Sequence, residues 1–230
     1  MARLPRLVAP GLPHLIVHRG LNGQPVFLDD ADRIAYRLAL RQAAVDSGVA
    51  LHGYGLFPSE VRLIATPTHE QGLGLMMQSL GRRYVRAFNI KYQRSGTPWE
   101  GRFRSTVIEA GRFFVVCLRF AEGNEGHGTP FASGSEANPW TSTAHHLGQR
   151  SDGLVTEHPA FWALGNTPFE REANYRQTLE RALTDIQLTA IRNAVLKGWA
   201  LGSAEFAAGI SVSSGRRALA LPRGRPARRG

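Results

Sequence analysis

Residues 49–66 read VALHGYGLFPSEVRLIAT, two apolar runs joined at Pro58-Ser59-Glu60. Each run has strand length, and the proline-serine pair between them has turn chemistry. The stretch therefore predicts a β-hairpin of Val49–Phe57 and Val61–Thr66. On its N-terminal side, Asp29 or Asp30 is placed to cap a helix from Ala31 to Ser47, with Ile34, Leu38 and Val45 turned inward and Gly48 as its stop. On its C-terminal side, Gly72 to Tyr92 carries Leu75, Met76, Leu80, Tyr84 and Phe88 at helical spacing. His14 to Arg19 (HLIVHR) predicts a strand before this block, and Phe103 to Ile108 one after it. Gly111 then opens a third helix through Phe120. The order β-α-β-β-α-β is that of a ferredoxin-like split βαβ unit, an α+β fold with a four-stranded antiparallel sheet backed by helices.

Four regions follow along the chain. Residues 1–128 form the sheet-bearing domain. Residues 129–168 are an extended loop region, within a Gly-, Ser-, Asn- and Thr-rich stretch running from Gly123 to Ser151. Residues 169–210 form a C-terminal helical region with Leu179, Leu183, Ile186, Ile191 and Val195 as its apolar stripe. Residues 211–230 form a basic tail, with six arginines and no acid from Gly215 onward, a composition that predicts ordering only against phosphate.

The whole chain has 230 residues, of which 43% are hydrophobic, enough for a buried core. No apolar run approaches the length of a spanning helix, and the start MARLPRLVAPGLPHL lacks the apolar core of a secretory signal. Cys117 stands alone, so neither an internal disulfide nor a cysteine metal site is available. A cytoplasmic, nucleoid-associated setting is the expectation. Twenty-eight basic residues against eighteen acidic give a net charge of +10, and only Lys91 and Lys197 are lysines. Arginine presents a planar fork suited to phosphate, so a polyanion such as nucleic acid is the expected partner.

The charge is concentrated. Between Gly81 and Arg104 seven basic residues, Arg82, Arg83, Arg86, Lys91, Arg94, Arg102 and Arg104, stand against the single acid Glu100. They interleave with Tyr84, Phe88, Tyr92, Trp99 and Phe103, and basic groups beside rings suit single-stranded or hairpin nucleic acid. Arg216, Arg217, Arg223 and Arg225 extend this candidate DNA-binding set into the tail.

Several blocks together resemble a known family. WEGRFRSTVIEA at 99–110 is similar to the "W-x-G-R-[YF]-[KR]-S" block of the REP-associated tyrosine transposases, relatives of the single-tyrosine HUH transposases. HRGLNGQPVFLDDADR at 18–33, Leu80-Gly81-Arg82-Arg83-Tyr84 and Phe88-Asn89 agree in order. So do Asn138-Pro139-Trp140-Thr141-Ser142, His146-Leu147-Gly148, Leu201-Gly202-Ser203 with Phe206, Arg216-Arg217 and Gly224-Arg225-Pro226.

The resemblance implies a strand-transfer chemistry whose key residues are replaced here. The family's two metal-holding histidines lie on the third strand, where this chain has Glu60 and Arg62. A carboxylate suits Mg²⁺ or Mn²⁺, so Glu60 is a weak metal candidate, while Arg62 stays protonated and repels a cation. At the nucleophilic tyrosine stands Phe120, with no oxygen to attack phosphate. Asn124 matches a third metal ligand, and Glu125 replaces a proline.

No rival constellation takes over. His52 and His69 are isolated, His145-His146 are adjacent, Gly72-Leu73-Gly74 is too short for a nucleotide loop, and Cys117 fits a core helix. The leading reading is a transposase-like protein that binds hairpin or single-stranded DNA without cleaving it, as a regulator, with no catalytic residue and no cofactor. One alternative is an active Mg²⁺- or Mn²⁺-dependent transposase using Glu60 and a relocated tyrosine. A second is a protein that binds structured RNA. No membrane association is expected.

Overall fold

The computed structural model describes residues 6–126 and 138–219. Strands β1 (His14–Arg19), β2 (Val49–Phe57), β3 (Glu60–Pro67) and β4 (Arg104–Val107) form one sheet in the order β2-β3-β1-β4. Every neighbouring pair is antiparallel. Helices α1 (Asp30–Asp46) and α2 (Gly72–Lys91) make the two crossovers, and α3 (Ala110–Ala121) follows β4. This is the α+β split βαβ arrangement that the element order predicts. The short helices α4 (Thr143–His146) and α5 (Pro159–Trp162) come next, then α6 (Pro168–Leu179), α7 (Asp185–Lys197) and α8 (Ala204–Ser213).

Both faces of the sheet are covered. On one, Ile16, Tyr54, Leu56, Val61 and Leu63 pack under Tyr36 and Leu40 of α1 and Met76, Leu80, Tyr84 and Phe88 of α2. On the other, Leu15, Val17 and Ile64 meet Phe114 and Leu118 of α3, together with Phe161, Tyr175, Leu179, Ile191 and Val195 from the C-terminal helices. Tyr84 and Phe88, which interleave with the arginines in sequence, are thus core residues.

The rotation of α1 differs from the one its aliphatic residues suggest. Ile34, Leu38 and Val45 face outward at 51%, 65% and 73% exposure, while Tyr36, Leu40, Ala43 and Ala44 are buried. The N-terminal cap decides this. Asp29 and Asp32 form a reciprocal capping box, and Asp32, itself buried, also accepts Lys91 Nζ at 2.8 Å and the Tyr92 hydroxyl at 2.9 Å. With Asp32 turned toward α2, the residues one and two turns later on its face, Tyr36 and Leu40, must point inward. Leu75 and Ile186, likewise expected inside, are exposed.

The stretch expected as a plain loop does structural work from residue 138 onward. It runs along the free edge of β2: Leu56 N–H donates to the Trp140 carbonyl at 2.9 Å, and Ser142 N–H to the Tyr54 carbonyl at 3.0 Å. The β4 edge is met by the segment before α8, where Leu201 N–H donates to the Val107 carbonyl and Glu109 N–H to the Leu201 carbonyl, both at 2.8 Å. The basic tail is also docked as far as it is described. Ala218 is buried, its N–H donating to Ser211 Oγ and its carbonyl accepting Ala200 N–H, both at 2.9 Å. Arg223 and Arg225 lie outside the described residues. Among those described, no helix is long and apolar enough to cross a membrane.

Candidate nucleic-acid interface

Side chains alternate along a strand, so Glu60, Arg62 and Ile64 of β3 share one face. The register sets Arg19 opposite Glu60 and Val17 opposite Arg62 on β1, with Arg104 of β4 beyond Val17. This is the face that α3 covers. The helix approaches closely because β2 presents glycine there. A Cβ on Gly53 would stand 2.3 Å from Leu118 Cδ1, and one on Gly55 2.2 Å from the Ala121 carbonyl oxygen. The close approach delivers Phe120 to Arg62. Phe120, far in sequence from Glu60 and Arg62, is therefore brought beside them.

They form a closed electrostatic unit. Glu60 accepts Arg19 Nε on one carboxylate oxygen and Arg62 Nε on the other, each at 2.5 Å. Arg62 Nη1 donates to the Phe120 carbonyl at 2.6 Å and to the Glu125 carboxylate. Glu125 in turn lies 3.6 Å from Arg192 Nη2 of α7. The Arg62 guanidinium sits 4.1 Å from the Phe120 ring centroid and 4.8 Å from that of Phe57, cation–π contacts that orient it. Charge alternates along Arg19, Glu60, Arg62, Glu125 and Arg192.

These residues do not fit a divalent cation. Both oxygens of Glu60 are taken by guanidiniums, and a fixed positive charge occupies the neighbouring position. Among the described residues no group of three or more His, Cys, Asp or Glu side chains is placed to hold a metal. Asn124 does not join Glu60. It is buried one turn past α3, its amide 3.1 Å from Thr143 Oγ1 and 3.4 Å from Glu122 Oε2.

Glu122 centres a second network that the sequence did not single out. Its fully buried carboxylate accepts Ser142 Oγ at 2.6 Å, Thr143 Oγ1 at 3.0 Å and the Tyr175 hydroxyl at 2.6 Å, and faces His146 Nδ1 at 2.7 Å. Burial alone would raise its pKa, but His146, Ser142 and Tyr175 outweigh burial and hold the carboxyl below the ordinary value. Burial and the neighbouring Glu122 push the Tyr175 hydroxyl up. This ties α3 to α4 and α6, and it accounts for the Asn-Pro-Trp-Thr-Ser and His-Leu-Gly blocks as packing.

Four of the five tyrosines lie inside the fold. Tyr36, Tyr54, Tyr84 and Tyr175 are buried, and desolvation raises the pKa of each. The Tyr92 hydroxyl bonds Asp32.

The basic residues divide by what they touch. Arg82, Arg83 and Arg86 are exposed on α2, and of these Arg83 reaches Asp46 at 3.2 Å. Lys91 is committed to Asp29 and Asp32 at 2.7 and 2.8 Å. Arg94 lies over the Phe88 ring at 5.4 Å. Arg102 is exposed, and Arg104 donates to the Leu196 carbonyl at 3.0 Å. Arg216 is half-buried against the Gly198 carbonyl, and Arg217 is exposed.

A cleft of about 220 Å³ opens beside Phe120, lined by Arg19, Glu100, Arg102, Arg104 and Arg192 with Val17, Val195 and Leu196. Arg19 could have been read from the strand period, since it shares a face with Val17. Arg192 could not, because only the packing of α7 against β4 brings it there.

No family model and no curated protein matches the chain. Among solved structures, a REP-associated tyrosine transposase bound to a REP hairpin aligns at a TM-score of 0.52 and 15% identity, covering 70% of this chain and 96% of that one. A chain assigned as a transposase from Deinococcus radiodurans R1 aligns over 50% of this chain and 93% of its own at 24% identity, with a TM-score of 0.34. What the first alignment establishes is a shared fold.

Proposed function

We propose that this protein binds DNA, in hairpin or single-stranded form, through its arginine-lined surface and does not cleave it. One observation carries the reading: the ion-pair chain of Arg19, Glu60, Arg62, Glu125 and Arg192 closes over Phe120 where metal and nucleophile would be needed. Exposed Arg82, Arg86 and Arg102 keep their guanidiniums available for phosphate, so binding and bond-breaking have separated. The likeness to a hairpin-bound transposase supports DNA as the ligand, and the burial of four tyrosines together with the bonded hydroxyl of Tyr92 supports the lack of cleavage.

The test is fluorescence anisotropy with labelled hairpin, single-stranded and duplex DNA over a salt series, paired with denaturing electrophoresis after incubation with Mg²⁺ or Mn²⁺. Binding should be unaffected by EDTA and should weaken steeply with salt, because counterions are released from the phosphates. No nicked product and no denaturation-resistant adduct should form. An adduct, or loss of binding in EDTA, would overturn the proposal. Tighter binding to an RNA hairpin of the same sequence would transfer it to RNA.

A further inference from the structure

A second and larger cleft lies across the β1–β4 edge of the sheet from Phe120. Its volume is about 780 Å³, and it runs between α2 and the segment 97–103. Leu75, Met77, Val85, Trp99 and Phe103 give it apolar walls. The α2 side is open at Gly74 and Gly81, where an added Cβ would meet nothing within 4 Å. These glycines are seven residues apart, two helical turns, and so lie on one stripe of α2 facing the cleft.

The opposite wall is built from rings. His18 stacks on Trp99 with centroids 4.1 Å apart and planes 15° apart. Its Nε2 lies 3.1 Å from the Gly101 carbonyl, and burial pushes its pKa down to about 4, so the ring is neutral at ordinary pH. Three arginines line the cleft, of which Arg6 lies 3.7 Å over the Phe103 ring and donates to the Phe103 carbonyl. Arg82 and Arg102 both line the cleft and are exposed, and neither has a partner among the hydrogen bonds and ion pairs of the described residues. Arg102 also lines the cleft beside Phe120.

An apolar slot of this size with ring walls suits flat, weakly hydrated groups, and unpaired guanidiniums at its mouth call for anions. A strand of planar bases joined by phosphates meets both requirements along one molecule. We infer that the α2 cleft seats unpaired nucleobases of a bound strand, with the flanking phosphates on Arg82 and Arg102. The strand then passes round the β4 edge at Arg102 toward Phe120. This rests on the proposed DNA binding and adds a base-holding site to it.

The experiment compares a fluorescein-labelled dT12 with an abasic strand of equal length and charge. The wild-type protein should bind dT12 at least about fivefold more tightly, the contribution of one stacked base. Gly81→Leu fills the cleft at a position with room for a side chain, and its melting temperature should not fall. It should bind both strands alike, at the abasic level. Arg82→Ala should weaken both strands by the same factor. Equal wild-type affinity for the two strands, or an unchanged preference in Gly81→Leu, would overturn the cleft while leaving DNA binding intact. Failure of either strand and of every hairpin to bind at low salt would instead remove the DNA-binding reading on which the cleft rests.

Discussion

Phe120 and Arg62 occupy adjacent places for one physical reason: a guanidinium needs a carboxylate or a ring, and here it has both. A hydroxyl placed at position 120 leaves that arrangement unchanged. Phe120→Tyr should therefore give no covalent DNA adduct with Mg²⁺ or Mn²⁺ on denaturing gels, whereas adduct formation should require Glu60→His and Arg62→His as well. A metal-dependent adduct from the single variant would show that the ion-pair chain is not disabling. Glu122 carries a different consequence. Its folded pKa lies below its ordinary value of 4.5, so its charge stabilises the fold above that pH, and the contribution fades as the pH falls through the lower folded value. Glu122→Gln should cost about 1–3 kcal/mol near neutral pH, because it loses charge-assisted bonds. It should also show a flatter decline of urea stability than the wild-type protein as the pH falls below the ordinary carboxylate value of 4.5. Parallel pH profiles would exclude Glu122 as a source of acid sensitivity.

Among the elements, the hairpin and both crossover helices were legible because strand and helix periods leave distinct marks on Val49–Thr66 and on Met76, Leu80, Tyr84 and Phe88. The rotation of α1 was not. Its two candidate stripes, Ile34 with Leu38 and Tyr36 with Leu40, are equally apolar in sequence, and only the contact of Asp32 with Lys91 and Tyr92 chooses between them. The same contact draws Lys91 out of the set of available phosphate ligands, which no count of basic residues reveals. Leu40→Ala should cost about 2–5 kcal/mol. Leu38→Glu, on the exposed stripe, should stay within about 0.5 kcal/mol in chemical denaturation. A large loss from Leu38→Glu would mean that the outward stripe is covered in solution.

For the molecule as a whole, Glu60, Arg62 and Phe120 could be located from the sequence, but Arg192 could not, because it meets Glu125 only after α7 packs on the sheet. The exposure of Arg82, Arg83 and Arg86 was legible in the sequence, since it follows from their spacing around buried Tyr84. Replacing those three with alanine should flatten the salt dependence of DNA affinity by up to about three units of log–log slope. An unchanged slope would place the phosphate contacts elsewhere. The C-terminal half is equally integral, since it lines one sheet face and both sheet edges. A chain ending at residue 137 should elute as aggregate in size-exclusion chromatography, because it leaves two unpaired strand edges and uncovers the apolar surface of α3 and the sheet that the C-terminal helices pack on.

The closure of those edges also sets an order in time. A ribosome that has released residues 1–126 has produced all four strands, yet Leu56 still awaits Trp140 and Val107 still awaits Leu201. The β2 edge can be sealed only once residues 140–142 have been made, and the β4 edge only once Leu201 has. Until then the nascent amino-terminal part carries unpaired strand edges, a surface open to chaperones and to other chains.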